Sequence, residues 1–296
     1  MGNASWSSTA YSAKKMSYTG KSREQIFQKK SIRKDFDPCN ITIRESCDSE
    51  ENPLSTALIF ALDVTGSMGF IAEEIARDGL GTLVEGILER QPVTDPHLMM
   101  MAIGDINYDN HPLQITQFEA DIRISDQLEE LYLEGGGGGN HYESYDLAWA
   151  FAASKTEIDC FNKRGKKGYI FTIGDEMPPT SARNEVLKNR VNIDLQSNME
   201  TNQILDLAKE KYDVFHIVVE EGSYCIRGGS NRVYDAWTDL LGKRVIMLDN
   251  HRNLPQVAIS VIMVNEGIEP SEAISVWDDV LVKKSVERAL FGPGGQ

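Results

Sequence analysis

The sequence is poor in the groups that mark most site chemistries. Its five histidines and four cysteines (Cys39, Cys47, Cys160, Cys225) form no C-x-x-C pair and no Cys/His cluster with zinc-ligand spacing. There is no G-x-S-x-G elbow, no H-E-x-x-H helix and no G-x-x-x-x-G-K-[ST] phosphate loop, which removes the commonest hydrolase, metalloprotease and nucleotidase signatures. No apolar run approaches the ~18 residues of a transmembrane helix. The first residues, MGNASWSSTAYSAKK, contain no apolar core of an export signal, and Trp6 stands where a myristoylation pattern wants Ser or Thr. The expectation is a cytoplasmic protein with reduced thiols and no membrane attachment.

Basic residues are also scarce beyond Lys34. Up to that point there are eight Lys/Arg against one acid, Glu24; the rest carries 22 basic and 44 acidic residues, and the whole chain has a net charge of -15. Such a balance argues against general binding to nucleic acid or to an anionic membrane. The basic segment reads as a solvated arm lying back on the acidic body, with docking to an external acidic partner as the alternative.

What is present organises the chain into three parts. Residues 1–52 read as a basic, largely extended arm, with a short helix around 23–30. Residues 53–266 alternate apolar runs with helical periodicity: buried strands at 57–64, 97–104, 168–174, 213–219 and 244–248, an edge strand at 113–122, and helices at 70–90, 127–133, 143–155, 202–211, 232–241 and 254–264. Residues 267–296 read as one amphipathic helix, 270–290, and a loose Gly-Pro-Gly-Gly tail. Alternating strands and helices predict an α/β fold, doubly wound, with a mostly parallel central sheet and helices on both faces.

In such a sheet, ligands bind outside the carboxyl ends of the strands. The first apolar strand is followed by Asp63-Val-Thr65-Gly-Ser67-Met-Gly, and the strand at 168–174 by Asp175-Glu-Met-Pro-Pro. Between them EGGGGGNHYES (134–144) brings five glycines and Asn140 to a helix start. Carboxylates, hydroxyls and an amide oxygen suit a hard cation, Mg²⁺ or Mn²⁺ (or Ca²⁺), with a shell completed by water or a visiting ligand. Each group also has a plainer reading. Ser67 caps the helix near Phe70, and Asn140 with Glu143 forms a capping box. Asp105 and Asp109 sit in a solvated loop, and lack the Gly and Glu positions of an EF-hand. His141 is a surface residue, Tyr142 a partner contact or local packing, and Trp149 core.

Asp63-Val-Thr-Gly-Ser resembles the D-x-S/T-x-S signature of von Willebrand factor type A domains, over roughly residues 53–266. The glycine loop is similar to the G-G-G-D-x-x-E version found in intracellular, prokaryotic and phage branches, with Asn140 in place of the acid. The resemblance implies a Rossmann-like vWA fold with a metal-ion-dependent adhesion site (MIDAS) formed by Asp63, Thr65, Ser67, Asn140 and Asp175. It further implies a protein-binding module that takes an Asp or Glu of a partner through the cation. Partners implied by analogy are ATP-driven machines of the MoxR AAA+ type. A structural or assembly role in a phage or conflict system is the alternative, with a metal-assisted hydrolase behind it. No catalytic residues are expected.

Overall fold

The computed structural model describes residues 29–121, 123–137, 142–179 and 181–292. Its strands are β1 (Arg44–Ser46), β2 (Thr56–Asp63), β3 (Pro96–Ile103), β4 (Leu113–Ile115), β5 (Thr156–Ile158), β6 (Gly168–Gly174), β7 (Ser181–Ala182), β8 (Met199–Glu200), β9 (Tyr212–Val219) and β10 (Val245–Leu248). The central sheet has the order β10-β9-β6-β2-β3-β4. All its pairings are parallel except β3 with β4. The α/β class and the mostly parallel sheet expected from the sequence are therefore what the chain forms.

β2 shows why. Every residue of TALIFALD is buried, as a strand covered on both faces requires. Its alternation divides the core: Leu58, Phe60 and Leu62 face one apolar layer, and Ala57, Ile59 and Ala61 the other. The first layer is closed by α1 (Phe70–Glu74), a π turn (Ile75–Gly79) and α2 (Leu80–Arg90), by α3 (Arg123–Glu129), and by C-terminal helices. The second is closed mainly by α4 (Asp146–Lys155), with α5 (Asp159–Arg164), α6 (Asn184–Val191), α7 (Thr201–Lys211), α8 (Ser223–Gly228) and α9 (Ser230–Leu241) following it. Trp149, in α4, is core.

Several elements depart from the sequence expectation. The helix expected over 70–90 is interrupted by the π turn. The edge strand expected to reach 122 ends at Ile115, because the Thr116 hydroxyl takes over as acceptor for the Met100 amide (2.8 Å). The helix expected from 143 begins at Asp146. The C-terminal helix is two helices after α10 (Leu254–Asn265): α11 (Pro270–Ser275) and α12 (Val280–Phe291). The break falls at Asp279, whose carboxylate caps α12 by accepting from the amides of Leu281 and Val282.

The described part of the N-terminal arm packs on the sheet. Phe36 is fully buried, Ile41 nearly so, and β1 pairs in parallel with β5. Arg44 donates to the carbonyls of Asp35 and Ile115, and Lys29 meets Glu130 at 2.7 Å. The lysines before residue 29, and most of the helix expected at 23–30, lie outside the described residues. Among the described residues, no helix is long and apolar enough to cross a membrane.

Candidate metal centre

β2 and β6 are neighbours, and the chain leaves β2 for β3 on one side while β6 lies on the other. Strand order reverses here, so a crevice opens at the carboxyl ends of these two strands. Asp63 is the last residue of β2, and Asp175 follows the last residue of β6. Both carboxylates are fully buried.

A chain of hydrogen bonds joins them. The Thr65 amide and hydroxyl both donate to Asp63 Oδ1, at 2.9 and 2.6 Å. Thr65 Oγ1 lies 3.3 Å from Ser67 Oγ, which donates to Asp175 Oδ1 at 2.6 Å. The Tyr224 amide donates to Asp175 Oδ2 at 2.8 Å, and the Tyr145 hydroxyl to Asp63 Oδ2 at 2.7 Å. Asp63, Thr65, Ser67 and Asp175, which the sequence placed together, are thus brought to one spot. Ser67 is not a helix cap: α1 starts at Phe70 behind Gly69, with no side-chain cap.

The glycine loop closes the crevice from the β3 side. The Gly66 amide donates to the Gly136 carbonyl at 2.7 Å, tying the loop to the Asp63–Ser67 turn. Asp109 supports it from behind, accepting from the amides of Gly137 (2.6 Å) and Asp105 (2.8 Å). A Cβ on Gly136 would lie 1.9 Å from Asp109 Oδ1, and one on Gly104 2.4 Å from Asp109 Oδ2. Gly137 also has φ +103, a conformation that disfavours side chains. Asp105 and Asp109 are therefore not solvated; both are buried structural acids beneath the loop.

Asn140 and His141 lie outside the described residues. The capping box expected of Asn140 and Glu143 is not how the helix starts, because α4 begins at Asp146 with Tyr145 in the capping position. Glu143 instead lines the crevice with Glu176, Tyr224, Arg227 and Arg232, in an open cleft of about 540 Å³ that also reaches Ser67. Tyr142 is part exposed beside it and bridges to Met177.

The electrostatics are those of crowded acids. Burial, and then the Asp175 charge, push the Asp63 carboxyl up. Burial also raises Asp175, against the hydrogen bonds from Ser67 and Tyr224. Glu143 is raised by burial first and then by Asp63, Glu176, Asp105 and Asp109. Glu176 is pushed up to about 7 by burial and by Asp175. Glu143 Oε2 and Glu176 Oε2 are buried without a hydrogen-bond partner. An all-oxygen donor set, mutually repelling carboxylates and two unsatisfied buried oxygens fit a hard divalent cation. Among the described residues no group of three or more His, Cys, Asp and Glu is placed to hold a metal by itself. Asp63 and Asp175 would hold a cation together with the Thr65 and Ser67 hydroxyls.

The sequence reading did not find Tyr145, Glu143, Glu176 or Asp109 as parts of this site. Glu176 carried a visible signal, being the second acid after a central strand. Tyr145 carried none, since only the packing of α4 aims its hydroxyl at Asp63.

No family model matches the sequence, and no curated protein does. Solved structures similar to it include the pilus adhesin SpaC from Lactobacillus rhamnosus GG in its open conformation: 10% identity, TM-score 0.50, 74% of this chain and 31% of the adhesin. A von Willebrand factor type A protein from Catenulispora acidiphila matches with 12% identity and TM-score 0.41, over 71% of this chain and 42% of that one. The conserved hypothetical protein BatB from Bacteroides thetaiotaomicron matches with 15% identity and TM-score 0.43, over 71% of this chain and 98% of BatB. The chain thus spans about a third of the adhesin's length. At these identities the likeness is one of fold, a mostly parallel sheet between helical layers.

Proposed function

We propose that the chain is a metal-dependent protein-binding module of the MIDAS type, rather than an enzyme. The observation that carries this reading is the hydrogen-bonded run Asp63–Thr65–Ser67–Asp175, which meets an open cleft at Ser67, with the unsatisfied Glu143 oxygen lining the same cleft. Bound there, Mg²⁺, Mn²⁺ or Ca²⁺ would offset the carboxylate repulsion and present a ligand position to an Asp or Glu of a partner protein.

Asp63, Thr65, Ser67 and Asp175 are the proposed ligands, with Asn140 added on the sequence resemblance alone. Phe70, Tyr142 and Ile226, all exposed large apolar or aromatic side chains on segments that border the site, supply the kind of rim anchors that protein interfaces use. The fold's likeness to part of a pilus adhesin agrees with an interaction role. An ATP-driven remodelling machine of the MoxR type, in the cytoplasm, is the partner that the sequence resemblance implies. Binding is favoured over catalysis because the described histidines are engaged elsewhere. His97 contacts Ser46, His111 lies edge-on to Tyr132, His216 stacks on Trp237, and His251 sits between Glu74 and Glu221.

Calorimetric titration of Mg²⁺ and Mn²⁺ into the wild type, Asp63→Ala and Asp175→Ala tests the reading. Saturable binding lost in both variants supports it, and equal heats in all three proteins sink it.

A further inference from the structure

The cleft has two walls of opposite character. Its floor holds Ser67 and the buried acids Glu143 and Glu176, and its far wall carries Tyr224, Arg227 and Arg232. Both arginines are exposed, and they stand at the cleft of a chain whose net charge is -15. Arg227 is held in place: its Nε donates to the Ser223 carbonyl at 3.0 Å and its Nη2 to Ser223 Oγ at 2.7 Å. The same short helix, α8, is fixed to the metal loops. The Ser223 amide donates to the Ser67 carbonyl (3.0 Å), the Tyr224 amide to Asp175 Oδ2, and the Cys225 thiol to the Asp175 carbonyl (3.1 Å). The Arg227 side of the wall is thus hydrogen-bonded directly to the loops of the floor, and Arg232 follows on α9, whose Trp237 indole donates to the Glu176 carbonyl at 2.9 Å.

Within the cleft Arg227 feels the charge of Glu176; with the acids of the floor taken up by a cation, a single carboxylate there would leave this cationic wall unmatched. From the charge complementarity of the cleft we propose that its ligand is an acidic segment of a partner protein carrying two or more carboxylates. One reaches the cation-binding floor, and a neighbouring one pairs with Arg227 and Arg232. Guanidinium groups suit this task because their planar fork matches a carboxylate in two parallel hydrogen bonds. Their exposure makes them determinants of partner choice more than of raw affinity, since the wall rejects a basic segment and steers an acidic one. The inference rests on the proposed metal-dependent reading of the same cleft.

The test uses the full chain and two fluorescein-labelled decapeptides. They are identical except that one carries a single central Asp and the other a central Asp-Glu-Asp. Binding is followed by fluorescence anisotropy in Mg²⁺ and in EDTA, for the wild type, Arg227→Ala/Arg232→Ala and Arg227→Lys/Arg232→Lys. The expected result is binding of the multi-acid peptide at least ten-fold tighter than the single-acid one in Mg²⁺. That preference should disappear in the alanine variant and be partly restored in the lysine variant. Equal affinity for the two peptides, an unchanged preference in the alanine variant, or no binding of the multi-acid peptide overturns the inference. Calorimetry of Mg²⁺ on the same proteins separates the two ideas. Cation binding with no peptide preference overturns the arginine wall alone. Arginine-dependent peptide binding that persists in EDTA keeps the wall and overturns the cation reading.

Discussion

The Tyr145 hydroxyl donates to Asp63 Oδ2 at 2.7 Å, joining the start of α4 to the end of β2 across 82 residues of sequence. Tyr145 is itself fully buried, in edge contact with Trp237 and His216. Gly174, the last residue of β6, has no side chain to spare there: a Cβ would lie 2.1 Å from the Tyr145 hydroxyl. The tyrosine therefore fixes which oxygen of Asp63 is turned toward α4, and leaves Oδ1 to the amide and hydroxyl of Thr65. Tyr145→Phe should cost about 1.5–3 kcal/mol, the range for a hydrogen bond to a charged group. It should also weaken Mg²⁺ binding about 10- to 100-fold, as loss of a residue that orients a ligand does. Urea unfolding and calorimetry read the two effects. A variant with wild-type cation affinity would show that Tyr145 is only packing.

Cation binding to the folded chain alone must raise its stability. With free Mg²⁺ at 100 times its dissociation constant, linkage gives about 2.7 kcal/mol. For a domain of this size that is a rise in Tm on the order of 5 °C. EDTA should reverse the rise, and Asp175→Asn should abolish it. Asp175→Asn keeps the shape of the side chain and removes half of the paired charge. A thermal scan in which the variant responds to Mg²⁺ as the wild type does would place the ion elsewhere.

The glycine loop gives a prediction that does not depend on any ligand. Gly136→Ala forces a methyl into the Asp109 carboxylate, so either the loop or the acid must move. Overpacking of this kind costs about 1–3 kcal/mol. Removing the obstacle should recover part of it, so Asp109→Ser should be less harmful in the Gly136→Ala background than alone. A double-mutant cycle by urea unfolding should show a coupling of about 1 kcal/mol or more. Strict additivity would mean that the loop has room that the structure does not show.

The arm makes a fourth. Phe36 is fully buried against the same apolar layer as Leu58 and Phe60, outside the span read from the sequence as the α/β domain. Phe36→Ala should cost about 3–5 kcal/mol, the range for truncating a core phenylalanine. A loss under 1 kcal/mol in denaturant titration would mean that the arm is dispensable.

The legible part of this molecule was what local pattern controls. β2 was readable because TALIFALD is apolar throughout and ends in an acid, which is how a doubly covered strand meets its crevice. Asp63, Thr65, Ser67 and Asp175 were readable for the same reason: they end such strands or follow them directly. What was hidden depends on packing between distant segments. Phe36 and β1 sit in a polar stretch, and only the edge at β5 reveals where they go. Asp109 looks like a solvated loop acid until Gly104 and Gly136 are placed against it. The start of α4 was misread because Asn140 and Glu143 satisfy the spacing of a capping box, while Glu143 turns into the cleft instead.

Asp146 gives the chain a pH dependence of its own. It is buried at the first turn of α4, and burial pushes its carboxyl up to about 7 despite hydrogen bonds from its own amide and that of Leu147. A carboxyl that holds its proton more tightly in the folded state than in the unfolded chain stabilises the fold at low pH. That contribution is complete below the ordinary carboxylate value near ~4 and is lost as pH rises through about 7. Asp146→Asn keeps the acceptor for both amides and removes the charge. In metal-free buffer with EDTA, the variant should therefore be more stable than the wild type at pH 8, by up to about 4 kcal/mol. The difference should shrink toward zero by pH 4. Urea unfolding at pH 4, 6 and 8 measures it, and the shared titration of the other acids cancels in the comparison. If the gap between the two proteins does not widen from pH 4 to pH 8, Asp146 is already ionised and solvated in the folded chain.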